Sequence, residues 1–311
     1  MGATSLSGPL PDVAGDAGYP DGHPPRMGFF TDTSVCIGCK ACEVACKEWN
    51  LLPTGQGADG MSGLSYDNTQ ALGANTWRHV AFIEQPVVPA SGEVDALAAA
   101  GEAAATGGTV DLGMPTVGAP GDGGVRWLMS SDVCKHCTHA ACLDVCPTGA
   151  LFRTEYGTVV VQPDVCNGCG YCVPACPYGV IDQRPDDGRV FKCTMCYDRL
   201  GAGLEPACAK ACPTDSIQYG ELDELRERAD ARLAELHDHG VATAQLYGRD
   251  PDDGVGGDGA FFLLLDEPET YGLPPDPVVT THDLPSIAKH VALAAGAVAV
   301  AAAAAFLGRR R

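Results

Sequence analysis

The sequence predicts an α+β fold organised around cysteine and closed by one C-terminal transmembrane helix. Three observations predict it: sixteen cysteines in 311 residues fall into four groups of four, the stretches between the later groups are short and β-like, and the chain ends in an uncharged run of bilayer length. Composition narrows the function before any motif is read. Lys+Arg number 20 against 40 Asp+Glu, a formal charge of −20. That balance argues against a nucleic acid partner, which needs a basic footprint to release counterions. With 45% hydrophobic residues the chain can bury a core. It is also far longer than the small secreted scaffolds that disulfides hold together.

Taken in order, residues 1–27 are rich in Gly, Pro and Asp, with Arg26 the one basic residue. They lack the apolar core and paired arginines of an export signal and read as a mobile N-terminal arm. The first cysteine group follows at 36–46. TWRHVAFIE at 76–84 alternates as a strand does. Residues 89–124, Gly/Ala/Pro-rich with no aromatic, read as a surface insertion. The other three groups fill 134–212, separated by short β-like stretches such as GTVVV at 157–161, so the clusters act as the core. In 221–237, Leu222, Leu225, Ala229, Leu233 and Leu236 share one face of an amphipathic helix that packing alone explains. FFLLL at 261–265 reads as a buried strand, and YGLPPDP at 271–277 as a Pro-stiffened part of a linker over 266–286.

The final run, VALAAGAVAVAAAAAFL at 291–307, carries no charge. With Ile287 and Ala288 ahead of a snorkelling Lys289, a span over 287–308 reaches the roughly 20 residues that a bilayer requires. The alternative is a buried Ala-rich helix. Arg309, Arg310 and Arg311 form a basic tail at 309–311. By the positive-inside tendency they place the C-terminus in the cytoplasm, membrane lipid around the helix and the globular part on the outer, extracytoplasmic face.

Cys36, Cys39, Cys42 and Cys46 are spaced CxxCxxCxxxC, and Cys166, Cys169, Cys172 and Cys176 repeat the spacing with Pro177 behind. Three thiolates three residues apart can bind three irons of one [4Fe–4S] cubane, while the fourth cysteine, often followed by proline, ligates a second cluster. Small spacers at Gly38, Ala41, Gly168 and Gly170 let backbone N–H groups approach the sulfides. Cys134, Cys137, Cys142 and Cys146 with Pro147 have four residues before the third cysteine, and Cys193, Cys196, Cys208 and Cys212 with Pro213 have eleven. Both keep the CxxC start and the CxxxCP end, so the loop grows while the ligand geometry survives. Four [4Fe–4S] clusters use every cysteine and leave no thiol for a nucleophile or a disulfide. Zinc in a structural scaffold is the rival of a different class, but it prefers two separated CxxC pairs at one tetrahedral site. Disulfides between cysteines three apart would be strained local bridges.

In a ferredoxin-like dicluster unit each half lends its fourth cysteine to the other. Groups two and three are adjacent and pair naturally, giving Cys134, Cys137 and Cys142 with Cys176, and Cys166, Cys169 and Cys172 with Cys146. Groups one and four then give Cys36, Cys39 and Cys42 with Cys212, and Cys193, Cys196 and Cys208 with Cys46. The expected fold is two ferredoxin-like dicluster units, one at 134–177 inserted in the other, within a four-cluster domain over 28–265. Spacing alone leaves open the sequential pairing of group one with two and three with four.

GFFTDTSVCIGCKACEVACKEWN at 28–50, YDNTQALGANTW at 66–77, FKCTMCYDRLGAGLEPACAKACPT at 191–214 and ETYGLPPDP at 269–277 resemble the iron–sulfur β subunit of membrane-bound respiratory formate dehydrogenases. The resemblance covers most of 28–308. Cysteine spacing alone is shared with the β subunits of dimethyl sulfoxide, thiosulfate, polysulfide and nitrate reductases and of some hydrogenases, and the other motifs and the C-terminal helix select formate dehydrogenase. The resemblance implies the nested pairing and a non-catalytic electron-transfer role in anaerobic respiration. It implies a molybdopterin α subunit, with molybdenum or tungsten, that oxidises formate, and a membrane cytochrome b γ subunit that delivers electrons to quinone. A β subunit of this kind is exported folded beside a twin-arginine-bearing α subunit, so it needs no signal of its own. The insertion at 89–124 and the N-terminal arm depart from the family pattern.

Further positions are weighed beside the cysteines. His136 and His139, inside the second group, read as hydrogen-bonding or loop residues rather than ligands or a proton relay. His290, at the membrane entry, reads as an interfacial anchor rather than a neighbour of a γ-subunit haem or quinone. Lys192 and Lys210 adjoin expected ligands, where a charge raises a cluster's potential; the plain alternative is a surface lysine. No GxxxxGK[ST], nucleophile elbow or paired-carboxylate arrangement is present, so catalysis by this chain alone is not expected.

Overall fold

The computed structural model describes residues 22–53, 69–86, 125–281 and 284–308. The expected insertion at 89–124, most of the N-terminal arm and the basic tail at 309–311 lie outside the described residues. The chain runs β1 (Met27–Asp32), a 3-10 turn (Thr33–Val35), α1 (Ala41–Trp49), β2 (Arg78–Pro86), β3 (Val125–Val133), α2 (Ala141–Asp144), β4 (Leu151–Arg153) and β5 (Val159–Val161). It continues through α3 (Cys172–Ala175), β6 (Asp182–Gln183), β7 (Val190–Phe191), α4 (Tyr197–Gly201), α5 (Ala207–Lys210), β8 (Ile217–Glu221) and α6 (Leu222–Asp238). It ends with β9 (Gln245–Tyr247), β10 (Ala260–Leu264), a second 3-10 turn (Pro268–Tyr271) and α7 (Leu284–Gly308).

The largest sheet has the order β8-β1-β10-β9, with β1 parallel to β10 and antiparallel to β8. Its two faces differ because side chains alternate along a strand. Phe30, Phe261 and Leu263 meet Leu222, Leu225, Ala229 and Leu236 of α6. The Phe30 and Phe261 rings stack there with centroids 5.3 Å apart. Phe29, Phe262 and Leu264 turn the other way, into a cluster that contains Cys42, Cys134, Cys193 and Cys208. Burial on both faces explains why β10 reads as a continuous apolar run. Each fully buried Phe contributes about 1.5–3 kcal/mol. The leucine stripe of α6 lies on the sheet as its spacing predicts, with Leu233 partly buried at the edge.

Strands β2 and β3 pair antiparallel from Arg78↔Val133 to Pro86↔Val125. Two small antiparallel hairpins, β4–β5 and β6–β7, follow the second and third cysteine groups. Leu143, Leu151, Val159, Val161, Ile181 and Val190 pack around the cysteines there.

Ordered contacts begin before residue 28. The register of β1 on β8 pairs Met27 with Glu221, which draws Arg26 inward. The Arg26 carbonyl accepts the Leu222 amide at 2.8 Å, and its Nη1 donates to Thr138 Oγ1 at 2.8 Å. Downstream of β10 the chain is strapped to the body: Tyr271, Leu273 and Val279 are buried, and the Leu265 amide donates to the Tyr271 hydroxyl at 3.1 Å. Helix α7 contains a 19-residue span, Ile287–Ala305, of mean hydropathy 1.7 and with 0% of it buried. It is long and apolar enough to cross a membrane, and it is not a core helix of this chain.

Candidate metal centres

All sixteen cysteines are free thiols, and they line four cavities. Cys36, Cys39, Cys42 and Cys212 line site 1. Cys193, Cys196, Cys208 and Cys46 line site 2. Cys134, Cys137, Cys142 and Cys176 line site 3, and Cys166, Cys169, Cys172 and Cys146 line site 4. Each cavity takes three cysteines from one group and its fourth from another. None of the four cavities combines group one with group two, or three with four. The crossing is made by short helices standing between cavities: α1 carries Cys42 and Cys46 one turn apart, and α5 carries Cys208 just ahead of Cys212. Glu43 pins α1 to β2 by accepting the Val80 amide.

The CxxC turns share a backbone device that the spacing alone conceals. In all four, the residue before the second cysteine has positive φ: Gly38 at 64°, His136 at 48°, Gly168 at 71° and Met195 at 55°. Glycine adopts this conformation freely, whereas other residues are disfavoured there by roughly 1–2 kcal/mol. Packing holds the two exceptions. Met195 is wholly buried, and His136 is buried with its Nδ1 accepting the Val159 amide at 3.1 Å. Close approach also demands glycine: a Cβ on Gly38 would lie 2.6 Å from Met129 Sδ, and one on Gly168 2.6 Å from the Gly188 carbonyl.

Burial pushes three thiols up, Cys42 to about 11, Cys172 to about 11 and Cys142 to about 12. Cys46 is raised by burial and then by the charges of Cys193 and Cys208. Crowded, buried thiols resist ionising until a polycation neutralises them, and metal binding therefore releases their protons. Four soft sulfur donors per cavity suit an iron–sulfur cluster. Among the described residues no three His, Cys, Asp or Glu side chains are arranged to hold a single ion, as tetrahedral zinc requires. The residues present fit a polynuclear group.

Polar neighbours complete the sites. Asn50 Nδ2 lies 3.7 Å from Cys46 Sγ and 3.9 Å from Cys196 Sγ. Thr148 Oγ1 lies 3.7 Å from Cys146 Sγ and Thr214 Oγ1 3.8 Å from Cys212 Sγ, a matched pair that the repeated Cys-Pro-Thr in groups two and four announces. Lys192 is buried, donating to the carbonyls of Val159 and Cys193 while lining site 3. Lys210 is a surface residue paired with Glu205 at 3.3 Å. Burial, then nearby Lys192, Arg153 and Arg26, hold His136 well below its ordinary value, so its ring is neutral. His290 is exposed on α7. Arg78, which sequence reasoning passed over, lies between sites 1 and 2, donating from Nη2 to Cys208 Sγ at 3.3 Å.

Residues 125–222 match the family profile of a 4Fe-4S dicluster domain, and residues 33–49 that of a 4Fe-4S binding domain. The chain is 38% identical over 261 residues to the formate dehydrogenase iron–sulfur subunit of Haemophilus influenzae, covering 83% of this chain and 71% of that one. It is 37% identical over 254 residues to the iron–sulfur subunit of the nitrate-inducible formate dehydrogenase of Escherichia coli, covering 80% and 73%. The B subunit of the anaerobic dimethyl sulfoxide reductase of Escherichia coli is more distant, 32% identical over 210 residues that cover 65% of this protein and 77% of that subunit.

Proposed function

The chain belongs to the family of formate dehydrogenase iron–sulfur subunits, and from that membership we propose that its four cysteine-lined cavities each hold one [4Fe–4S] cluster in a relay of electrons drawn from formate. It is an electron-transfer subunit and not the catalytic one. The crossing of fourth cysteines between cavities carries this reading. A bound [4Fe–4S] cluster supplies one-electron redox chemistry at a potential set by net charge, hydrogen bonds to sulfur and exposure.

The chain's own residues set the order. Sites 1 and 2 form the outer dicluster unit and share α1 and α5; sites 3 and 4 form the inserted unit and share α2 and α3. Lys192 and Cys193 stand between sites 2 and 3. The order is therefore 1-2-3-4. Cys39 at site 1 and Cys169 at site 4 are exposed, while all four cysteines of site 2 are buried, which supports sites 1 and 4 as the two ends. A molybdopterin α subunit with molybdenum or tungsten delivers electrons, and a membrane cytochrome b γ subunit receives them for quinone. Helix α7 is the candidate membrane anchor, and the basic tail at 309–311 supports a body on the extracytoplasmic face.

The complex purified in detergent tests the reading. It should contain about sixteen irons with matching acid-labile sulfide in this chain, beyond those of its partners, and formate should bleach the visible absorbance. Four zincs without broad visible absorbance would sink it. Bleaching by another donor but not by formate would move the chain to a different oxidoreductase.

A further inference from the structure

Arg78 opens β2 at 1% exposure, a rare place for a guanidinium. Among the described residues no carboxylate pairs with it. Its Nη1 donates to the Ser131 carbonyl at 3.0 Å and to Ser131 Oγ at 3.3 Å, and its Nη2 donates to Cys208 Sγ at 3.3 Å. The guanidinium lies over the Phe29 ring, 4.9 Å from the centroid. Its Nε finds no partner although it is buried, and the side chain lines site 2. Ser131 Oγ in turn lies 3.2 Å from Cys42 Sγ. One cation thus touches a cysteine of site 2 directly and a cysteine of site 1 through a single hydroxyl.

We propose that Arg78 is a positioning residue shared by sites 1 and 2, orienting Cys208 directly and Cys42 through Ser131, so that its charge raises the reduction potentials of both sites and ties them together. A reduced cluster carries one more negative charge than an oxidised one, and a fixed cation in a site of low dielectric favours the reduced form. Only sulfur and neutral oxygen atoms accept from the guanidinium, so among the described residues no carboxylate blunts its field. The planar fork matters as well as the charge. Two terminal nitrogens serve acceptors on opposite sides, a geometry that a lysine ammonium on a flexible stem does not reproduce.

The proposal rests on sites 1 and 2 holding clusters, so iron and acid-labile sulfide are counted in every sample. A parent complex without them overturns the functional reading, whereas the Arg78 proposal is read from midpoints in iron-replete samples. EPR-monitored redox titration of the detergent-purified complex then compares the parent with Arg78→Met and Arg78→Lys. In Arg78→Met, two of this chain's four midpoints should fall and two should stay. In Arg78→Lys, with the charge kept, both should recover most of the drop. Four unmoved midpoints in iron-replete Arg78→Met, or four that fall together, overturn the proposal. If Arg78→Met loses its clusters, Ser131→Ala decides, because it leaves the guanidinium in place: one midpoint should fall while the other three stay, and no movement overturns the link to Cys42.

Discussion

Cys42 and Cys46 stand one turn apart on α1 yet line different cavities, Cys42 at site 1 and Cys46 at site 2. A ligand change at one therefore belongs to a different centre than a change at the other. Cys46→Ser should alter the EPR signal of the cluster held by Cys193, Cys196 and Cys208 and spare the one held by Cys36, Cys39 and Cys42. The reverse pattern would rule out crossing.

Two lysines beside the ligands should behave oppositely. Lys192 is buried against sites 2 and 3, whereas the Lys210 side chain is 72% exposed. Water and salt screen an exposed charge far more than a buried one. Redox titration of Lys192→Met should show the two flanking midpoints falling, and Lys210→Met should leave all four close to the parent. Equal shifts in both variants would refute the burial argument.

Glycine is favoured at Gly38 for two reasons and at Gly179 for one. Both have positive φ, 64° and 63°, but a Cβ on Gly179 meets nothing within 4 Å, while one on Gly38 meets Met129 Sδ at 2.6 Å and Phe82 at 2.7 Å. Gly179→Ala should cost about 1–2 kcal/mol in denaturant unfolding and retain full iron. Gly38→Ala should cost more and lose iron from site 1, read as missing iron per chain. Full iron in Gly38→Ala would show that the loop can shift.

Removing the chain after Thr281 should leave the body intact, because no residue of the span Ile287–Ala305 is buried within it. Iron content and visible spectrum should match the parent, while the truncated chain, expressed with its partners, should pellet less with membranes. Unchanged membrane retention would place the anchoring in the partners rather than in α7.

The cysteine groups, α6 and β10 were readable because each carries its own period: three residues for the thiolates, three to four for the leucine stripe, and an unbroken apolar run for a strand buried on both faces. Strands β1 and β8 were not, since each is short and its identity comes from pairing Met27 with Glu221 across a long separation in sequence. Arg78 was hidden for a related reason. A lone arginine in an alternating segment reads as solvent-facing, and only the folded chain brings Cys208 to its Nη2. The left-handed residues were half visible. Gly38 and Gly168 occupy the diagnostic position, while His136 and Met195 hold the same conformation by packing and carry no local mark of it.

The exposure of Cys39 and Cys169, set against the burial of all four site 2 cysteines, also governs how the molecule decays in air. Oxidative attack on sulfur follows access. In the proposed order, dioxygen reaches sites 1 and 4 first, and an aged preparation should hold chains with sound centres at sites 2 and 3 and none working at the two ends. Such material would still look brown and still assay for the iron of sites 2 and 3, yet carry no current.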